Sequence, residues 1–141
     1  MRLWHYKLIP VLPDKMLIAQ WRECIAIMRQ WQKGTLRHRL VSYVLDYDKM
    51  YFGYYCNLVL KELELRKIKY SYKLKDELAN FVLDNRDIKD ARLYWSNNYL
   101  EHNYRYLKQC YYNLQEKADR GIISEEDWRR IYIYNEVIHF D

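Results

Sequence analysis

Leu17, Trp21, Cys24, Met28 and Trp31 recur at steps of four and three, the spacing that lines up one face of an α-helix. The pattern predicts a helix from about residue 14 to Lys33. Pro13 suits its first turn, Asp14 favours the positive end of the helix dipole, and Gly34 stops it. Residues 41–69 read as one or two further helices. Asp48 caps the longer one, whose apolar members include Tyr51, Tyr55, Leu58 and Leu65. Leu74, Leu78 and Phe81 mark a short amphipathic helix within 70–86, and residues 84–96 are less regular. Leu100, Tyr104, Leu107, Tyr111, Leu114 and Ala118 predict a long helix over roughly 97–120, ended by Gly121. Ser124 and Asp127 make a capping box for a last helix over about 125–136. Residues 1–12, short and mixed, read as an arm that ends between Pro10 and Pro13. No internal repeat, low-complexity tract or flexible linker breaks the pattern. The expected fold is all-α: a compact single-domain bundle of about four to six helices over residues 1–141, with the arm packed against the first long helix.

Composition narrows this picture. A chain of 141 residues fits one hydrophobic core. Three glycines and two prolines are too few for an all-β chain of many turns. Sixteen tyrosines suit half-buried faces and base-stacking surfaces alike. The net charge of +5 agrees with a nucleic-acid partner. No apolar run reaches membrane-spanning length, so no membrane partner is expected, and the N-terminus has no uninterrupted apolar segment of the kind a secretory leader needs. Cys24, Cys56 and Cys110 are far apart and odd in number, which reads as reduced, buried thiols in a cytoplasmic protein. His5, His38, His102 and His139 show no metal-binding spacing, Gly34, Gly53 and Gly121 stand alone, and no nucleophile elbow is present. Neither a metal nor an organic cofactor is expected.

Candidate chemistry lies at the start of the chain. At roughly 100° per residue, Lys15, Arg22, Arg29 and Lys33 fall on one flank of the first helix. Glu23 falls on the other flank with Met16, Gln20, Ile27 and Gln30. A free α-amine titrates at roughly 7.7–8.0, far below a lysine, so a useful fraction is unprotonated near neutral pH. Such an amine can attack an electrophilic carbon while a nearby carboxylate handles protons.

Met1-Arg2-Leu3-Trp4, the turn Leu8-Ile9-Pro10 and Trp21-Arg22-Glu23 resemble the N-terminal signature of the pyrimidine-dimer DNA glycosylase family, typified by the phage endonuclease V type of excision-repair enzyme. The opening Met1 to His5 is similar to a bacterial branch of that family. Glu101-His102-Asn103, Tyr106-Leu107, Cys110, Asn113-Leu114 and Gly121-Ile122 resemble the same branch, and residues 41–95 carry little of the likeness. The resemblance implies a compact all-α enzyme that cuts the glycosidic bond at a pyrimidine dimer and then the strand by β-elimination, without metal or cofactor. It implies that the α-amine of Met1 attacks the sugar C1′, that Glu23 is the essential acid, and that Arg22 binds substrate. Arg2 matches the arginine that follows the nucleophilic residue. Three departures stand out. Arg2 is bulky, so Met1 is expected to stay and supply the amine, where the founding enzyme exposes a threonine. Met16 and Ala26 replace a histidine and an arginine of that enzyme. Its aromatic-basic tail becomes Tyr132, Tyr134, His139 and Phe140.

The expected partner is damaged double-stranded DNA. Arg2, Lys15, Arg22, Arg29, Lys33, Arg37 and Arg39 are the candidate phosphate contacts, and Trp4, Trp95 or exposed tyrosines are candidates to fill the gap at a distorted step. A monomer is the favoured state. The alternatives are a non-catalytic nucleic-acid binder of the same fold and a helical protein–protein module built on the tyrosine-rich helix.

Overall fold

Asp14–Lys33 form the first helix, α1, in a computed structural model that describes residues 1–84 and 98–138. Pro13 caps α1 rather than sitting inside its first turn. Its carbonyl accepts the amides of Met16 and Leu17, at 2.9 Å each. At the other end Gly34 adopts φ 70°, and the amides of Gly34 and Thr35 return to the carbonyls of Trp31 and Gln30. A side chain is strained in that conformation, which is why glycine ends the helix.

A 3-10 turn over Ser42–Asp46 leads to α2, Lys49–Leu65, capped by the Asp48 side chain. Ser71 caps α3, Tyr72–Leu83. Asn103 caps α4, Tyr104–Asp119, and Ser124 caps α5, Glu125–Val137. Asp127 does not complete the expected reciprocal box; its carboxylate pairs with Arg130 instead. Among the described residues there is no strand, in agreement with the all-α expectation. No helix among them is long and apolar enough to cross a membrane.

Two stripes differ from those the sequence predicts. In α2 the buried set is Met50, Phe52, Tyr55, Cys56, Val59, Leu60 and Leu63, whereas Leu65 is 77% exposed. The cause is position: α2 packs against α1, α3 and the first 3-10 turn, so it buries more than one face. Gly53 lets α3 approach, since a Cβ there would lie 2.6 Å from Cγ1 of Val82. The long helix predicted over 97–120 starts only at Tyr104, because Asn103 takes its first free amides and the chain before it turns Tyr99 and His102 into the core. Leu100 and Tyr104, placed on the buried stripe by spacing, are exposed. Most of the stretch read as less regular, Trp95, and the tail residues His139 and Phe140 lie outside the described residues.

Helices α1, α2 and α3 make one group and α4 with α5 a second. The arm runs between them. Its 3-10 turn, Tyr6–Val11, packs on both α2 and α5. Leu3, Trp4, Leu8, Ile9 and Leu12 are buried there, so the arm is part of the core and not an appendage.

Candidate active site

Outside the bonds of its short 3-10 turn, the arm must find partners for its peptide groups elsewhere. Here side chains from four helices and the turn before α4 supply them. From α1, Gln20 donates to the Arg2 carbonyl at 2.9 Å and accepts the Trp4 amide at 2.9 Å. Glu23 accepts the Arg2 amide at 3.4 Å. From α2, Tyr55 donates to the Trp4 carbonyl at 2.5 Å. From α4, Tyr106 donates to the Leu3 carbonyl at 2.5 Å, and from α5, Tyr134 donates to the Lys7 carbonyl at 2.6 Å. Gln20 is 1% exposed. Each buried peptide group left unpaired costs about 1–3 kcal/mol, so the arm's path is strongly specified.

The histidine between these groups is equally fixed. The Lys7 amide donates to Nδ1 of His5, leaving Nε2–H to donate to the His102 carbonyl at 2.9 Å. The Tyr6 amide donates to Nδ1 of His102, whose Nε2 meets the Tyr43 hydroxyl at 2.8 Å. Burial lowers His5 to about 4 and, with the neighbouring His5, lowers His102 to about 3. Two neutral imidazoles therefore join the arm to the turn before α4. Their ring centroids lie 5.4 Å apart. Spacing along the chain gave no sign of this pair, because 97 residues separate its members.

Pinned in this way, the arm forms one wall of a cleft of about 330 Å³. Met1, Arg2, Trp4 and Glu23 line it from the arm and α1, Leu40 from the connection after α1, and Asn113, Glu116, Lys117 and Arg120 from α4. The Arg2 guanidinium lies over the Trp4 ring, 5.2 Å from its centroid. Oε2 of Glu23 accepts both the Arg2 amide and Nε2 of Gln20, the latter at 3.1 Å. The N-terminal residue, two carboxylates (Glu23 and Glu116) and three cations (Arg2, Lys117 and Arg120) thus share one opening.

The other predicted residues are distributed around it. Arg22 is exposed on the outer flank of α1, beside Glu23 in the chain but not among the residues lining the cleft. Lys33, Arg37 and Arg39 are exposed at and beyond the C-terminal end of α1. Arg29 is exposed and lies 3.8 Å from Glu77, a contact that at such exposure is worth no more than about 1 kcal/mol and leaves the cation available. Lys15 sits at the far end of α1, in a separate groove with Arg66 and Arg130. Trp4, offered as a wedge, is 7% exposed and belongs to the cleft wall.

Sequence reasoning missed two sets of cations. Lys117 and Arg120 follow Asn113 and Glu116 at helical spacing and form a polar face of α4 beside its apolar stripe. Residues 66–75 hold five basic and no acidic residues, and Lys67, Lys69 and Lys73 make no ion pair among the described residues. Tyr70 sets that segment against α1, its ring edge-on to Trp21 at 6.2 Å.

A family model described as pyrimidine dimer DNA glycosylase matches residues 1–77, more than half of the 141. The chain belongs to this family, one of DNA glycosylases, whose substrate is DNA. No curated protein and no solved structure matches the chain. The matched segment holds the arm, α1, α2 and the start of α3. The α4 wall of the cleft lies beyond it.

Proposed function

We propose that the protein excises pyrimidine dimers from duplex DNA and then cleaves the strand as an abasic-site lyase, with the Met1 α-amine as nucleophile and Glu23 as acid. The observation that carries this reading is the shared cleft of Met1 and Glu23, with the arm held by buried hydrogen bonds. The unprotonated amine attacks C1′ of the lesion nucleotide as the glycosidic bond breaks, and the departing base takes the bonding pair. Loss of a proton from nitrogen and opening of the sugar ring give an imine. Removal of a C2′ proton then expels the 3′ phosphate by β-elimination. Glu23 delivers and receives protons and offsets the positive charge that develops at C1′. Lys117, Arg120, Arg2 and the exposed cations of α1 hold flanking phosphates, and Arg22 contacts the backbone just outside the cleft.

Borohydride trapping on abasic-site and dimer-containing duplexes, followed by peptide mass spectrometry, tests the reading. The expected product is a covalent adduct on the Met1 nitrogen that disappears when that amine is acetylated. Tight DNA binding without any adduct, by protein whose free Met1 amine has been verified, would reduce the protein to a binder.

A further inference from the structure

We infer that Gln20 is a positioning residue that locks the arm to the Glu23 carboxylate, so that Glu23 works through its Oε1 oxygen. The inference rests on the proposed function for its chemistry and on hydrogen-bond geometry for its substance.

The Gln20 amide has no spare valence. Nε2 carries two protons; one goes to the Arg2 carbonyl at 2.9 Å and the other to Oε2 of Glu23 at 3.1 Å. Its carbonyl oxygen accepts the Trp4 amide at 2.9 Å and the Tyr55 hydroxyl at 3.2 Å. A flipped amide would set its NH2 against the Trp4 N–H and its oxygen against the Arg2 carbonyl and the Glu23 carboxylate, so the surroundings determine the orientation. The consequence reaches the acid. Oε2 of Glu23 accepts two donors, Gln20 and the Arg2 amide, while no donor among the described residues reaches Oε1. Donors draw charge from the oxygen they bind, so a proton transferred to or from this carboxylate travels through Oε1. One carboxylate oxygen sets the position and the other is left for the reaction. Because the arm's second peptide is tied to both Gln20 and Glu23, the amine one residue before it and the acid move as a unit.

Two substitutions separate these roles. Gln20→Met keeps the length and apolar bulk of the side chain and removes all four hydrogen bonds. Glu23→Gln keeps the anchor, since its carbonyl oxygen can take the place of Oε2, and removes the acid. Hydrogen exchange of the N-terminal peptide and single-turnover borohydride trapping read the two effects. Gln20→Met is expected to exchange the arm amides about tenfold faster or more. Its maximal trapping rate is expected to fall about tenfold or more, with half-saturating DNA unchanged. Glu23→Gln is expected to keep an arm more protected than Gln20→Met and to trap far less than wild type. Ile131→Val, in the core of α5, serves as a destabilised control and should move neither readout by a comparable amount. Wild-type arm protection or a wild-type maximal rate in Gln20→Met overturns the inference while leaving the proposed function standing. A wild-type protein that forms no adduct overturns the proposed function, and the role given to Gln20 falls with it.

Discussion

The two walls of the cleft are built by different physics. On the arm and α1 wall, backbone and side chain are tied together under the surface: Gln20 is 1% exposed, and Arg2, Leu3 and Trp4 are all pinned by side-chain hydrogen bonds. On the α4 wall, Glu116 and Arg120 are exposed, and their contact at 3.9 Å is an i,i+4 surface pair. Such a pair contributes no more than about 1 kcal/mol, so these side chains can swing. A reacting group needs its geometry fixed to within about half an ångström, whereas a phosphate grip tolerates reorientation. Under the proposed function, this contrast is the reason to look for chemistry on the first wall and grip on the second. It also parallels the family match, which covers the first wall and stops before the second.

The comparison breaks most visibly at Glu23. Glu23→Gln is expected to lower the single-turnover trapping rate by about 10²–10⁴-fold, the usual weight of acid–base catalysis, with DNA affinity changed only a few-fold. If trapping proceeds at the wild-type rate, the fixed wall is not where the chemistry occurs.

Next in size is the joint between the walls. His5 sits on the arm and His102 just before α4, and both are held neutral, near about 4 and about 3, against roughly 6.5 in an unfolded chain. Below pH 6.5 the unfolded chain therefore binds protons that the folded one refuses, and stability falls as pH drops towards 4. At pH 5 the loss is on the order of 2 kcal/mol per histidine. The thermal midpoint should be level above pH 7 and decline between pH 6.5 and 5, ahead of most carboxylates. A midpoint that stays level down to pH 5 would mean that these rings are not a neutral clasp.

On the α4 wall, Lys117→Ala and Arg120→Ala should each reduce the slope of log affinity against log salt by about 0.9, one phosphate contact apiece. The maximal trapping rate at saturating DNA should be unchanged. A drop in that rate at saturation would move one of these cations from grip to chemistry.

How much of this was legible in the sequence depends on whether the signal was local. The limits of α1 could be read because Asp14 and Gly34 sit at its ends, and Asp48 and Ser124 cap by the same local logic. The start of α4 is hidden because Leu100 and Tyr104 continue an apolar period that the chain does not use. The stripe of α2 is not legible from spacing because a helix covered on several sides offers more than one apolar face, and Leu65 lies on an outward one. Glu23 and Met1 were found through the resemblance of the opening residues. The spacing of Asn113, Lys117 and Arg120 was visible, but only the fold brings that face opposite Glu23. The His5–His102 pair is purely tertiary: neither residue has a neighbour in sequence that hints at the other.

The smallest expected effect tests whether the outer flank of α1 belongs to the grip at all. Glu77 on α3 stands 3.8 Å from Arg29 and is the acid nearest to that cation in an ion pair. If DNA passes along Arg22, Arg29 and Lys33, Glu77 repels the backbone while contributing little to the fold, since an exposed pair is worth no more than about 1 kcal/mol. Glu77→Ala should then bind DNA slightly more tightly, by a factor of about two to five at low salt, with the gain vanishing as salt rises. Arg29→Ala should weaken binding over the same salt range. The thermal midpoint of both variants should stay within a few degrees of wild type. Equal affinities for wild type, Glu77→Ala and Arg29→Ala at low salt would confine the grip to Arg2, Arg22 and the α4 wall. Opposite shifts would extend the DNA path along the whole outer flank of α1, towards the basic segment 66–75 that Tyr70 holds against it.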